Sequence, residues 1–398
     1  MTVLTKLGAG AAVAAVLCCS ASVGLAAVPA ALTARSASAT MSGSAGAAST
    51  AAPPSHVPVF AYFYQWFNPS SWDRAKQDLP LAGKYSSDDP HVLRDQIEAA
   101  RAAGIDGFLT SWKSTATLNR RLDLLISVAR SEQLDLGVVY EALDFSRRPL
   151  PVQTVKHDML YLVTSRSAGL KSTYYGRPVI IWTGTDQYSA ADVRSVRAAI
   201  GDRAYLLAAS KQVADYERIA DIVDGEAYYW SSANPDNPAT PAKLEAMGKA
   251  VHAHGGLWIA PAASGYDGRT LGGSRVIDRK DGQTLVHSLS NAFATSPDCV
   301  GLISWNEWSE NTYIEPGHKY GDKEITVLRN YLLQRASGAP VRGGSGADSS
   351  EGESSSTWTG ARAALTLVVF TAAGALVLLA KERRKRRVRP AHGQPERS

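Results

Sequence analysis

Glu307 and Glu310 stand three residues apart in the segment Ser304–Gly317, which reads SWNEWSENTYIEPG. In a helical turn or a tight loop that spacing sets both side chains on one side. Two neighbouring carboxyls push their pKa values apart, so that one stays protonated near neutral pH while the other ionises. Acid–base cleavage of a glycosidic bond needs that division, with one group protonating the leaving oxygen and the other acting as a base. Trp305, Asn306 and Trp308 flank the pair, and Glu315, directly before Pro316, reads as a brace for the loop.

Aromatic rings cover the apolar faces of sugars and polar side chains bind their hydroxyls, so a carbohydrate cleft has to contain both. Both kinds follow the β-rich apolar runs of this chain. Tyr62, Tyr64, Gln65 and Trp66 come after the first run, Trp112 after the second and Glu141 after the third; Tyr228, Tyr229 and Trp230 come after the sixth, and Tyr266 and Asp267 after the seventh. The candidate substrate-binding set is Tyr62, Tyr64, Trp112, Glu141, Tyr229, Trp230, Tyr266, Asp267, Asn306 and Trp308, with Glu307 and Glu310 as the catalytic pair. No metal is expected. His252 and His254, two apart near a helix end, do not share a face, and His287 and His318 have no partner at ligand spacing. No cofactor is expected either, and no Gly-x-Gly-x-x-Gly follows the first strand. Cys299 reads as a buried small hydrophobe.

The elements that must position these residues show in the alternation of the chain. Strands are expected at Val57–Tyr64, Gly107–Ser111, Leu136–Tyr140, Pro178–Trp182, Ala204–Ala209, Gly225–Tyr229, Leu257–Pro261 and Val300–Ser304. Helical patterns lie between them, the clearest at Pro90–Ala103, with Asp88 or Asp89 as N-cap and Gly104 as the stop. The others are Leu118–Ser131, Val152–Ser167, Ala190–Ile200, Pro241–His254, Gly282–Ala294 and Lys323–Arg335, while the crossover after Ala209 is short. Eight β/α alternations imply a closed (β/α)8 TIM barrel, an α/β fold that carries its chemistry at the C-terminal strand ends. A doubly wound open sheet is the alternative.

The chain has 398 residues, 45% of them hydrophobic and 20% charged, which excludes wholesale disorder. Its net charge of +5 comes from the ends. Between Lys381 and Ser398 eight basic residues face two acidic ones, and the body is slightly acidic, which argues against a nucleic-acid partner. Residues 1–39 read as a secretory signal, with Lys6 before an Ala-rich apolar run and Ala37-Ser38-Ala39 as the cleavage site; an uncleaved anchor is the alternative. Residues 40–56 and the Ser/Gly-rich 337–360 read as flexible linkers around a catalytic domain at 57–336. Residues 361–380 read as a single transmembrane helix, Ala363 to Ala380 alone spanning about 27 Å. The basic tail at 381–398 places itself in the cytoplasm and the barrel outside the cell membrane.

The stretch NEWSENTYIEP, Asn306 to Pro316, resembles the signature of glycoside hydrolase family 99, the endo-α-mannosidases and endo-α-mannanases, which reads N-E-W-H-E-G-T-Q-I-E-P. AYFYQWF (Ala61–Phe67), GKYSSDDP (Gly83–Pro90), AGIDGFLTSW (Ala103–Trp112), Glu141, YYGRPVIIW (Tyr174–Trp182), DGEAYYW (Asp224–Trp230) and SGYDGR (Ser264–Arg269) match that family in order. The resemblance implies a barrel hydrolase in which Glu307 is a base on the sugar 2-hydroxyl and Glu310 the acid/base, with retention through a 1,2-anhydro sugar. It implies that the aromatics and Glu141 line the subsites. Ser309, Asn311 and Tyr313 stand where the family has His, Gly and Gln. The W-N-x-x-x-E-x-x-Y-I spelling is also similar to family 71, the α-1,3-glucanases, and Ile314–Gly321 is similar to the WbsX-like domains of surface-polysaccharide clusters. The expectation is a membrane-anchored, outward-facing retaining endo-glycosidase acting as a monomer on an α-linked, mannan-like glycan. A WbsX-type glycosyltransferase and a non-catalytic glycan-binding surface protein are the alternatives.

Overall fold

The computed structural model describes residues 56–338 with the exception of Phe145. Eight parallel strands close into a barrel. They are β1 (Val59–Tyr64), β2 (Gly107–Trp112), β3 (Asp135–Tyr140), β4 (Val179–Thr183), β5 (Tyr205–Ala209), β6 (Gly225–Ala227), β7 (Leu257–Ala263) and β8 (Cys299–Ile303). β8 pairs with both β7 and β1, Val300 in register with Val59, and this closes the ring. The architecture is therefore the barrel and not the open sheet, and no strand end lies more than two residues from its expected place.

The crossovers carry α1 (Pro90–Ala102), α2 (Ala116–Ser131), α3 (Val152–Tyr161), α4 (Ala190–Ile200), α5 (Val213–Glu217), α6 (Ala239–Ala253), α7 (Gln283–Ala294) and α8 (Lys323–Ala336). Asp89 caps α1 by accepting the His91 N–H at 2.8 Å. Asp88 is instead held by Arg120 and the buried Arg121, which also donates to the Gln65 carbonyl at 3.0 Å and so ties the end of β1 to α2. The helix expected over Val152–Ser167 differs. After Tyr161 it widens into a π turn, Leu162–Arg166, before a last helical turn at Ser167–Leu170. There the Thr164 hydroxyl donates back to the Leu160 carbonyl at 2.7 Å, a contact that loosens a helix.

Strand alternation sorts the core into two layers. Phe60, Tyr62, Leu109, Val139, Ile181, Leu207, Ile259 and Ile303 fill the barrel lumen. Phe63, Phe108, Trp112, Trp182 and Trp258 face outward and pack on the helices with Ile97, Leu122 and Leu289. The bulk in the lumen needs compensation by small residues. A Cβ on Gly107 would lie 2.7 Å from the Phe60 ring, so the lumen closes there only around a glycine. No helix among the described residues is long and apolar enough to cross a membrane. The expected signal (1–39), transmembrane helix (361–380) and basic tail (381–398) lie outside the described residues.

Candidate active site

The chain leaves β8 through a cis Ile303–Ser304 bond and returns to the same point a few residues later. The Ser304 N–H donates to the Thr312 carbonyl at 3.0 Å, the Ile314 N–H to the Ser304 carbonyl at 3.0 Å, and the Glu315 N–H to the Trp305 carbonyl at 2.9 Å. Between these bonds Asn306 to Asn311 form a loop closed at its neck, with Glu307 and Glu310 on it at the C-terminal mouth of the barrel. The three-residue spacing thus acts in a turn and not in a helix.

Three side chains fasten this loop from behind. Asn306 accepts the Tyr64 N–H at 2.8 Å and donates to the Tyr64 carbonyl at 3.0 Å, and so extends the β1 ladder by one side-chain rung. Trp308 stacks on Tyr313 with ring centres 3.8 Å apart, and its indole N–H donates to Glu315 at 3.1 Å. Glu315 also receives the Tyr85 hydroxyl at 2.9 Å and the Gln96 amide at 2.6 Å. The bracing role expected of Glu315 is the arrangement found.

In front of the loop lies a compact polar cluster. The hydroxyls of Tyr64 and Tyr229 are 2.8 Å apart. Burial raises the Tyr64 hydroxyl well above its ordinary value, and the charges of Glu307, Glu310 and Glu141 raise it further. Tyr229 is raised in the same way, with burial first and then Tyr64, Glu310 and Glu307. Burial pushes Glu307 up to about 7, while the Ser309 N–H, donating at 3.0 Å, and the Lys76 ammonium pull it back. Glu141 is raised by burial and held by the Ser111 hydroxyl at 2.8 Å. The mouth of the barrel thus brings together a carboxyl that changes charge near neutral pH, a second carboxyl three residues on, and a hydroxyl pair that feels the charge of both.

Not every residue expected at the cleft lies there. Trp112 is fully buried on the outer side of β2, its ring parallel to Tyr161 and its N–H donating to Asn119 at 3.0 Å. Strand alternation turns it away from the lumen. Trp308 and Asn306 are likewise fully buried and act on the loop, leaving no face for a sugar. Tyr62 sits deeper in the lumen, edge-on beneath Tyr229 at 4.9 Å. Trp230 is half-buried and turned toward Tyr228 and the Lys243 ammonium. Tyr266 and Asp267 form a short strand antiparallel to Val276–Ile277. The Asp267 N–H donates to the Glu310 carbonyl at 2.8 Å, and its carboxylate, pulled down to about 2 mainly by Arg269, is occupied in an ion pair. Tyr64 and Tyr229 are the candidates whose hydroxyls feel the charges of Glu307 and Glu310, and Glu141 acts on Tyr64 in the same way. The sequence reading missed Ser111, Lys76 and Thr183, which approaches Glu141 at 3.4 Å. The inward parity of β2 and β4 carries a signal for Ser111 and Thr183; Lys76 sits in an irregular loop and has none. Cys299 is buried and its thiol pushed up by burial. No three His, Cys, Asp or Glu side chains among the described residues are placed to share a metal ion.

Buried carboxyls at the C-terminal mouth of a closed (β/α)8 barrel are an arrangement that barrel glycoside hydrolases use. The solved structures agree on the fold. The family 99 endo-α-mannosidase from Bacteroides thetaiotaomicron, in complex with bis-tris-propane, matches with a TM-score of 0.60 at 21% identity, over 70% of this chain and 97% of that one. A second structure of the enzyme from that organism gives 0.59 at 20% identity, over 70% and 97%. A glycoside hydrolase-like protein gives 0.54 at 14% identity, over 72% and 97%. No curated protein matches the chain. The model of glycosyl hydrolase family 99 matches residues 65–331, more than half of the chain. The chain belongs to glycosyl hydrolase family 99 and is a glycoside hydrolase.

Proposed function

We propose that this protein is a retaining endo-glycosidase that cleaves an α-linked, mannan-like glycan, with Glu307 and Glu310 as its catalytic pair. The observation that carries it is the closed loop after β8 that holds Glu307 and Glu310, both buried, at the strand ends where such barrels react, with the Tyr64–Tyr229 hydroxyl pair within reach of their charge. In the first step Glu307 takes the proton of the sugar 2-hydroxyl and O2 closes onto C1. The C1–glycosidic oxygen bond breaks as Glu310 delivers its proton to the leaving oxygen. In the second, Glu310 takes a proton from water, the water oxygen opens the 1,2-anhydro ring at C1, and Glu307 returns its proton to O2. Each carboxyl ends as it began, and two displacements at C1 retain the configuration.

The Tyr64 and Tyr229 hydroxyls, kept protonated by burial, supply donors beside the carboxylates. The signal-like composition of residues 1–39 and the apolar stretch at 361–380 with its basic tail support an enzyme anchored in the cell membrane with its barrel outside. The test is Glu310→Gln in the full-length protein, offered α-mannan and α-1,3-glucan. Turnover is expected to fall about a thousandfold with the melting temperature unchanged. Wild-type turnover in Glu310→Gln refutes the assignment, and a glycan bound but not cut by the unmutated protein moves the function to glycan binding.

A further inference from the structure

Behind the loop that bears Glu307 and Glu310 lies a buried guanidinium that no part of the reaction accounts for. Arg279 follows the short strand Val276–Ile277 and is only 4% exposed. Its Nη2 donates to two carbonyls of the loop, Asn311 at 2.9 Å and Tyr313 at 2.7 Å. Its plane is flanked by the rings of Tyr313 and Tyr320, at 4.7 and 4.3 Å. Nη1 lies 3.4 Å from the buried carboxylate of Glu324 at the start of α8. One cation therefore joins the segment after β7, the reactive loop and α8.

The loop needs such a hold at the places it receives one. Asn311 follows Glu310 directly and takes the left-handed conformation, φ 54°, which a residue with a side chain adopts at a cost. Its carbonyl points to Arg279. Two residues on, Tyr313 carries Trp308 on its face at 3.8 Å, donates its hydroxyl to Asp78 and offers its carbonyl to the same guanidinium. Burying an arginine is unfavourable unless its charge is paired and its donors engaged. Here the charge faces Glu324 and Nη2 serves both carbonyls, while Nε and Nη1 make no hydrogen bond among the described residues, so the loop contacts rest on Nη2. Lysine, a single point donor, does not reproduce a planar group that reaches two carbonyls, a carboxylate and two rings at once.

We propose that Arg279 is a positioning residue of the reaction: it touches no substrate, and it holds the Glu310–Tyr313 segment so that Glu310 meets the glycosidic oxygen. The inference rests on the proposed reaction, so full-length wild type and Glu310→Gln are assayed first on α-mannan and α-1,3-glucan. On the polymer that wild type cuts, Arg279→Lys lowers kcat about 30- to 100-fold with KM within about twofold, because a displacement near 1 Å costs a reacting group that much. Added guanidinium restores part of the rate to Arg279→Ala and does nothing for Glu310→Gln. Glu324→Gln, which keeps both carbonyl contacts, lowers the melting temperature and holds kcat within about threefold; it decides the matter where an Arg279 variant does not fold. Full kcat in folded Arg279→Lys, or a Glu324→Gln whose kcat falls as far as its stability, overturns the role of Arg279 alone. Absence of turnover in wild type overturns the reaction itself.

Discussion

Lowering the pH from 8 to 5.5 should make this enzyme more stable and less active at the same time. Among the carboxyls whose charge burial disfavours, Glu226 is pushed up to about 8, and Glu307 and Glu315 each to about 7. In the unfolded chain the same groups ionise near 4.5, so across this window the folded state binds protons that the unfolded state releases. A raised carboxyl stabilises fully below its unfolded value, and the contribution is lost as the pH climbs through its folded value. At ~1.4 kcal/mol per proton and pH unit, the fall from pH 8 to 5.5 adds about 3 kcal/mol from Glu226 and about 2 kcal/mol from each of the others. The carboxylates held low, Asp88 and Asp267 at about 2, titrate below this window and leave it undisturbed. Activity runs the other way. In the proposed reaction Glu307 must be ionised to take a proton, and 1.5 units below its pKa roughly one molecule in thirty is, so kcat/KM should drop about 30-fold. Urea midpoints and initial rates on one soluble glycan, measured over the same buffers, give both curves. Glu226→Gln separates them: it flattens the stability curve by its own share and leaves the rate profile where it was. A urea midpoint that falls between pH 8 and 5.5, or a rate that is flat across it, refutes the assignment of buried, proton-holding carboxyls.

Trp112→Ala should cost about 3–5 kcal/mol in urea denaturation by opening a cavity between β2 and α3, while KM stays within twofold; a tenfold rise in KM at full stability would return that ring to the cleft. Asn306→Ala strands the buried N–H and carbonyl of Tyr64 and should cost about 2–3 kcal/mol, with a loss of kcat because β1 and the loop lose their common register; calorimetry and rate assays on one preparation check both. In Glu315→Ala the donors of Trp308, Tyr85 and Gln96 lose their acceptor, so the melting temperature should fall further than in Glu315→Gln. Equal melting of the two would show that Glu315 is not the acceptor that holds the loop.

The number of strands and the helices between them could be read directly, because each depends on patterning within a dozen residues, whereas the closed order of the strands was decided by β8 pairing with β1. Alternation and turn residues are local properties, and a chain with eight such units has few ways to bury them. The pair Glu307 and Glu310 was visible for the same reason: spacing along the chain fixed their nearness in a turn. Which neighbours join them is another matter. Tyr64, Ser111, Glu141 and Tyr229 share an inward parity at four different strand ends, and Trp112 and Trp230 fall one residue out of it. An aromatic at a strand end looks the same in sequence whichever way it points, and only the closed barrel decides which parity faces the lumen. Burial is also a property of the whole fold, so the shift of Glu307 to about 7 follows from what surrounds it, including Lys76 from a loop more than two hundred residues away. Arg279 shows the difference most plainly: as a residue it is one arginine among many, and it becomes a hub of the reactive loop because the hairpin, the loop and α8 converge on its guanidinium.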